Sequence, residues 1–148
     1  MNASRVSYTL ESTLDSVNKA EQTARDLAVR CGFPEEEADR ISMAVREAAV
    51  NAVLHGNHYD QDKRMFAVFE ATPDAISITI RDEGSGLIPD EVPDPLAPEN
   101  LLKQSGRGIF LIRAFMDEVR FRKMDPGTEI TLIKHMRGED REIKEASK

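Results

Sequence analysis

The sequence predicts an α+β fold: a two-layer sandwich in which one mixed, mostly antiparallel sheet carries its helices on one face. Two amphipathic helical patterns follow each other early in the chain, and later strand patterns come in pairs joined by short turns. Strands do not alternate strictly with helices, which argues against a parallel βαβ fold. Hairpin pairs favour antiparallel pairing, so the helices are expected to cover one side of the sheet.

The first part of the chain predicts one strand and two helices. Residues 5–10 alternate weakly between apolar and polar, as in a short strand. Ser12 and Asp15 have the spacing of a capping box for the helix that follows, and Gly32 is expected to end that helix. Pro34 then opens a second helix whose first turn is rich in glutamate, where the helix dipole favours acids.

The rest of the chain predicts two hairpins separated by a long irregular segment and a short helix. The predicted strands span residues 65–70, 76–81, 119–123 and 129–134. Residues 87–105 contain four prolines and resemble a functional lid, because a loop of that length is unusual in a compact domain. A short helix is expected over residues 109–116. Residues 1–136 should form a single domain, and residues 137–148 a charged, disordered tail.

Composition and charge exclude several classes of function. The 148 residues suit one domain with a proper core, and the net charge of −7 argues against nucleic acid or an anionic membrane as partner. Cys31 is the only cysteine, so an internal disulfide is impossible and a reducing cytoplasm is expected. We find no signal peptide, no apolar run long enough for a membrane helix and no zinc-ligand spacing.

The most informative stretch runs from Glu47 to Gly56, where the second helix is expected to end. Glu47, Asn51 and His55 are four residues apart, so they should lie on one helix face at intervals of about 6 Å. This polar row lies beside an apolar stripe formed by Ile41, Val45, Ala48 and Ala52. A solvated helix face gives the same pattern, but a row at the margin of a core also suits a pocket.

Two glycine motifs follow strands or precede helices. Asp82-x-Gly84-x-Gly86 ends a predicted strand, where a carboxylate can accept a hydrogen bond from an exocyclic amine such as that of adenine. Glycines there would let the backbone approach a flat ring, although a simple turn has the same spelling. Gly106-x-Gly108 is expected to begin a helix, and backbone N–H groups at a helix N-terminus attract phosphate.

Together and in this order, these motifs resemble the ATPase superfamily of gyrase, the heat-shock-90 chaperone, histidine kinases and MutL. The match runs from about Arg40 to His135. The detailed spelling is most similar to the bacterial anti-sigma-factor serine kinases. The stretches that carry this similarity are Glu47-Ala48-x-x-Asn51-Ala52-x-x-His55-Gly56, Ile80-Arg81-Asp82-Glu83-Gly84, Phe115-Met116-Asp117-Glu118-Val119 and Gly127-Thr128 with Leu132-x-Lys134-His135.

The resemblance implies an ATP site with Mg²⁺. By its analogy, Asn51 coordinates the Mg²⁺ through its side-chain oxygen, and Glu47 is the general base that takes the proton from a substrate serine. Asp82 holds the adenine amine, with Gly84 and Gly86 against the ring edge. His55 matches the family spelling but is expected only to pack or to cap.

The resemblance also assigns the phosphate end. The residues expected there are Lys103, Ser105, Gly106, Arg107 and Gly108, and Thr128 is expected to support the adenine end. Some family members have a basic residue immediately before Ser-Gly-x-Gly, where this chain has Gln104. Lys103 or Arg107 could substitute for it. If neither does, phosphoryl transfer would be slow even with ATP bound.

As a family member, the protein would be an anti-sigma factor that binds a sigma factor and phosphorylates an anti-anti-sigma protein on serine. It would form a homodimer and regulate transcription in a bacterial stress response. Two alternatives stay open: an ATP-gated binding module with little kinase activity, and the catalytic part of a histidine kinase. The second is weaker, because the sequence has no histidine before His55 to accept phosphate.

Overall fold

The computed structural model of the protein describes residues 4–84 and 104–136, with only the backbone described for residues 104–107. Gly86, Lys103, most of the predicted lid and the predicted tail lie outside the described residues.

A five-stranded sheet forms one layer of the fold, with the strand order β1-β2-β3-β5-β4. The strands are β1 (Ser4–Glu11), β2 (Arg64–Ala71), β3 (Ala75–Arg81), β4 (Glu118–Lys123) and β5 (Thr128–His135). All four pairings are antiparallel, so the α+β prediction is confirmed while the described part of the sheet is wholly antiparallel instead of mixed. The β3–β5 pairing brings the end of β3 beside the start of β5.

The helices form the other layer. They are α1 (Leu14–Cys31), α2 (Glu35–Val50) with a π-helical turn at Asn51–Gly56, and α3 (Gln104–Phe115). Along β2, buried residues alternate with half-buried ones, as expected for a sheet covered on one face. The largest fully buried side chains come from both layers and include Ile41, Phe69, Met65, Ile78, Ile112 and Leu132. Burying each large apolar side chain contributes about 1.5–3 kcal/mol.

The start of α1 differs from the predicted capping box. The N-cap is Thr13, whose side-chain oxygen accepts a hydrogen bond from the Ser16 amide at 3.3 Å. The Ser12 hydroxyl instead donates to the Lys63 carbonyl at 2.6 Å. The prediction is wrong by one residue because a long-range bond to the segment before β2 takes the Ser12 side chain. At the other end, Gly32 stops α1 in the left-handed conformation, as predicted.

The start of α3 also differs from the prediction. The helix begins at Gln104, so Gly106 and Gly108 lie within its first turns and not ahead of it. Because glycine has a poor helix propensity, the sequence predicts a loop at these two residues. In the structure, packing of α3 against α2 outweighs this cost of about 1 kcal/mol per glycine. Cys31 is buried. No helix in the described residues is long and apolar enough to span a bilayer.

Candidate functional site

The helix that carries the polar row changes its geometry at Asn51. The Asn57 amide donates to the Ala52 carbonyl five residues earlier, at 2.8 Å, which is the bonding of a π-helix. Such turns are rare and are frequent at functional sites. Glu47 and Asn51 keep the spacing of an α-helix, whereas the wider turn changes the direction of His55 relative to both.

His55 packs and does not cap. Its Nε2 atom is buried and has no hydrogen-bond partner among the described residues. Burial lowers the pKa of the His55 ring, and the nearby His58 lowers it further. The ring is therefore neutral near pH 7, in agreement with the packing role expected from the sequence.

Glu47, Asn51 and Gly108 meet where α3 packs against the end of α2. A β-carbon added to Gly108 would lie 2.9 Å from the Glu47 Oε2 atom and 3.7 Å from both polar side-chain atoms of Asn51. The absence of a side chain at residue 108 therefore lets the helix backbone lie directly against a carboxylate and an amide. The structure thus brings together three of the predicted site residues, from two separate helices.

The donor set at this place suits a hard cation that is shared with a phosphate. The Asn51 amide is half-buried, and its oxygen is the kind of ligand that Mg²⁺ prefers. The half-buried Glu47 carboxylate, one helical turn earlier, adds negative charge near a cation held there. Within the described residues, no cluster of three or more histidine, cysteine, aspartate or glutamate side chains could hold a metal alone. A Mg²⁺ ion held here would fit the usual arrangement, with few protein ligands and the rest supplied by phosphate and water.

Asp82 lies at the end of β3, with 7% of its surface exposed. Its Oδ1 atom accepts hydrogen bonds from the Gly84 amide at 2.9 Å and from the Thr128 amide at 3.2 Å. The Asp82 amide in turn donates to the Thr128 carbonyl at 3.0 Å. Thr128 therefore lies beside Asp82, as the sequence predicted, and both backbone donors use the same carboxylate oxygen.

Burial raises the pKa of Asp82. The hydrogen bonds from Gly84 and Thr128, and the charges of Lys63 and Arg81, act in the opposite direction but are outweighed. A carboxylate kept out of water in this way binds a hydrogen-bond donor more strongly than an exposed one, because water competes less.

Two further glycines contact Asp82. A β-carbon on Gly56 would lie 2.5 Å from the carboxyl carbon of Asp82, and one on Gly127 would overlap the Asp82 carbonyl. Gly127 also has a φ of 104°, which favours glycine. Neither glycine is among the site residues predicted from the sequence. The only available signal was their position, at the end of the Glu47–Gly56 motif and directly before Thr128.

Gly84 is required by packing within the protein. A β-carbon there would overlap the carbonyl of Gly56 at the end of the π-helical turn. This contact explains the glycine without a ligand, and its expected position at the edge of a ring stays a prediction. Ser105, Gly106 and Arg107 lie in the first turn of α3, and their side chains are outside the described residues.

The chain is similar to several known proteins. Residues 10–134 match the histidine kinase-like ATPase domain family. The anti-sigma F factor of Clostridium perfringens strain 13 is 37% identical over 106 residues, which cover 68% of this chain and 74% of that protein. The serine-protein kinase RsbW of Bacillus subtilis is 28% identical over 123 residues, which cover 79% of this chain and 76% of that protein.

A solved structure has the same fold. A Mycobacterium tuberculosis protein, described by its RsbU and RsbW domains, aligns with a TM-score of 0.62 at 19% identity. The alignment covers 90% of this chain and 33% of the other, so this chain spans a third of that protein. At this identity the similarity concerns the fold alone. The family match and the curated relatives carry the assignment: the chain belongs to the histidine kinase-like ATPase family, in the branch of anti-sigma factors and serine-protein kinases, whose domain uses ATP.

Proposed function

We propose that this chain is an anti-sigma factor that uses Mg²⁺ and ATP to phosphorylate a serine of an anti-anti-sigma protein. The observation that carries the proposal is the meeting of Glu47, Asn51 and Gly108. This contact brings together the proposed base, the proposed metal ligand and the helix that follows the predicted lid. Phosphoryl transfer needs these parts close together, because its catalysis is mainly positioning and charge stabilisation.

At the reacting end, Glu47 acts as the general base. Its carboxylate is half-buried beside the bare α-carbon of Gly108, where a serine hydroxyl could approach without meeting a side chain from α3. Taking the hydroxyl proton would make the serine oxygen a better nucleophile. Asn51, one helical turn later, would hold Mg²⁺ through its side-chain oxygen, and the ion would supply charge neutralisation at the phosphates.

At the other end of the site, where the nucleobase binds, we propose that Asp82 recognises adenine. An ionised carboxylate accepts a hydrogen bond from the amino group of adenine, whereas guanine presents a carbonyl at the corresponding ring position. The low exposure of Asp82 makes this discrimination stronger, because a buried unpaired acceptor is costly. Thr128 supports the carboxylate through its amide. We propose that Gly84 and Gly86 border the adenine ring, as the family resemblance implies.

At the phosphate-binding end of the site, the residue at position 104 favours a second candidate function, because the family resemblance implies a basic residue there in some members. Gln104 stands where a basic residue could approach the terminal phosphate, and it is the first residue of α3. We propose that Lys103 or Arg107 supplies the missing charge, with Ser105, Gly106 and Gly108 near the phosphates. If neither does, the protein is an ATP-gated binding module with little kinase activity.

The partners follow from the family. The name of the C. perfringens relative supports a sigma factor as one partner. The anti-anti-sigma substrate and a homodimer follow from the family resemblance. We place the activity in the cytoplasm and in a single kinase domain at residues 1–136.

The proposal is tested by phosphate transfer. Wild-type protein with Mg²⁺ and γ-labelled ATP should label a serine of its anti-anti-sigma partner. Glu47→Ala and the isosteric Glu47→Gln should abolish transfer while ADP still binds, because only the base is lost. Glu36→Gln, at an exposed position in the first turn of α2, is the matched control. Equal transfer by wild type and both Glu47 variants would reject the assigned base.

The metal role is tested separately by calorimetry. Asn51→Ala should weaken ATP binding in the presence of Mg²⁺ and leave the weak metal-free binding unchanged, because it removes an oxygen ligand. Asn51→Asp keeps an oxygen at that place and should retain the metal-dependent gain. An Asn51→Ala protein with unchanged affinity in Mg²⁺ would contradict the assignment. Wild-type protein that binds ATP but transfers no phosphate would favour the binding module.

A further inference from the structure

Asn57 is a polar side chain with none of its surface exposed. Its amide nitrogen donates to the Ser12 hydroxyl at 2.9 Å and to the Arg64 carbonyl at 3.0 Å. Its amide oxygen accepts from the Glu83 amide at 2.8 Å. A buried amide is costly unless it is hydrogen-bonded, and here both ends of the group are engaged.

Through these hydrogen bonds, Asn57 connects Glu83, the residue after Asp82, to the end of β1 and the start of β2. Ser12 follows β1 and Arg64 begins β2, so the Asn57 amide nitrogen is anchored on both. Glu83 is held at a second point, because its carboxylate accepts from the Arg64 amide at 2.7 Å. The Glu83 carboxylate is thereby committed to the backbone.

The π-helical turn that ends directly before Asn57 also contacts Asp82. Gly56 directly precedes Asn57, and its α-carbon faces the carboxylate of Asp82 so closely that a β-carbon would not fit. The backbone of Gly84 lies against the Gly56 carbonyl. Residues 56–57 therefore contact all three residues of the segment 82–84. Asn51, the proposed Mg²⁺ ligand, begins the same π-helical turn. This contact therefore connects the proposed metal site to Asp82, where adenine is proposed to bind.

We propose that Asn57 is the positioning residue that makes the nucleotide site selective for adenine. It acts through the Glu83 backbone to fix Asp82 relative to the turn that carries Asn51, and it does not touch the nucleotide itself. This inference rests on the proposed function, since it takes Asp82 as the residue that reads the base.

The positioning role differs from a merely structural one in what it changes. A hydrogen bond to a base amine requires a donor–acceptor distance of about 2.7–3.2 Å and good alignment. If the segment 82–84 loses its tie to Asn57, the carboxylate is no longer held for the adenine amine, and its exclusion of the guanine carbonyl weakens as well. The preference for ADP over GDP should fall, whereas a general loss of stability would reduce both affinities by the same factor.

The test is calorimetric binding of ADP and of GDP to the purified chain with Mg²⁺. Wild-type protein should prefer ADP, and Asn57→Ala should reduce that preference about tenfold, which corresponds to the loss of about one hydrogen bond. Ser42→Ala is the matched control. Ser42 is also buried, but its hydroxyl donates to the Asp39 carbonyl within its own helix. This variant should keep the wild-type preference.

The outcomes separate the two proposals. An equal fall in both affinities for Asn57→Ala would overturn the positioning role. If Asn57→Ala does not fold, Ser12→Ala decides, because it removes one anchor of the Asn57 amide and should reduce the preference about threefold. An unchanged preference in that variant would also overturn the role. Wild-type protein that does not bind ADP would overturn the proposed function as well, whereas phosphate transfer plays no part in this test.

Discussion

The Oε2 atom of Glu47 lies so close to the α-carbon of Gly108 that a β-carbon there would be 2.9 Å from it. The contact joins the last turn of α2 to the first turns of α3. Because the neighbouring atom is the end of a flexible side chain, a larger residue at 108 is accommodated by moving the carboxylate. The position of the proposed base therefore depends on a residue of another helix.

We expect Gly108→Ala to lower phosphate transfer tenfold or more while ADP binding changes little, because general-base catalysis depends on where the carboxylate lies, with an effect of about 10²–10⁴-fold. Its stability should be equal or higher by up to about 1 kcal/mol, since alanine favours a helix interior. Transfer assays and urea unfolding measure the two effects. Ala114→Gly, at an exposed position of the same helix, should do the opposite: lower stability and normal transfer. Normal transfer in Gly108→Ala would contradict the dependence.

Much of the fold could be predicted because its signals are local. The alternation of Ile76, Ile78 and Ile80 predicts β3, and Gly32 ends α1 where the periodic pattern stops. The order of the motifs predicts the family. The meeting of Glu47 with Asn51 follows from a spacing of four residues in a helix.

The rest could not be predicted because it depends on contacts between distant segments. Both Ser12 and Thr13 can cap a helix, and a bond from Ser12 to Lys63 decides between them. A π-helical turn leaves no mark in a pattern of apolar residues, so neither the direction of His55 nor the anchoring role of Asn57 was foreseen. The sequence predicts the start of α3 too late, because the low helix propensity of glycine is visible in the sequence. The packing of α3 against α2, which extends the helix to Gln104, is not visible there.

Gly127→Ala should destabilise the protein by about 3 kcal/mol or more. The residue has a φ of 104°, which alone costs an alanine about 1–2 kcal/mol, and its β-carbon would overlap the Asp82 carbonyl. That neighbour is backbone and cannot move without shifting the site. Gly32→Ala, at a φ of 102°, is the matched control and should cost only about 1 kcal/mol. Equal losses for the two variants in urea unfolding would show that contact with Asp82 adds nothing.

Asp82→Asn should stabilise the nucleotide-free protein at neutral pH relative to wild type. The pKa of Asp82 is raised in the folded state, so the folded protein holds its proton more tightly than the unfolded chain does. Wild-type stability therefore falls as the pH rises from the ordinary aspartate pKa of about 4 through the raised value. Asparagine keeps an oxygen for Gly84 and Thr128 and carries no charge, so it escapes this loss.

The measurement is urea unfolding of both proteins between pH 4 and pH 8, without nucleotide. The difference in free energy of unfolding should grow with pH and then level off. Asp74→Asn, in the turn between β2 and β3, is the matched control, because no comparable burial affects that exposed carboxylate. A difference that is constant across this range would mean that burial of the Asp82 charge is not what destabilises the fold. The same variant should lose its preference for ADP over GDP.

Lys134 is a buried cation that holds two acidic side chains from different elements. Only 8% of its side chain is exposed, and its Nζ atom lies 3.4 Å from Glu37 of α2 and 3.6 Å from Asp117 before β4. Lys134→Met keeps the apolar stem but removes the positive charge beside the two carboxylates, so we expect a loss of about 1–3 kcal/mol in urea unfolding. Glu70→Gln breaks the exposed pair with Arg5, whose atoms are 4.0 Å apart, and should cost less than about 1 kcal/mol. A Lys134→Met protein as stable as wild type would contradict this expectation, because it would show that the fold does not need the lysine charge beside these two carboxylates.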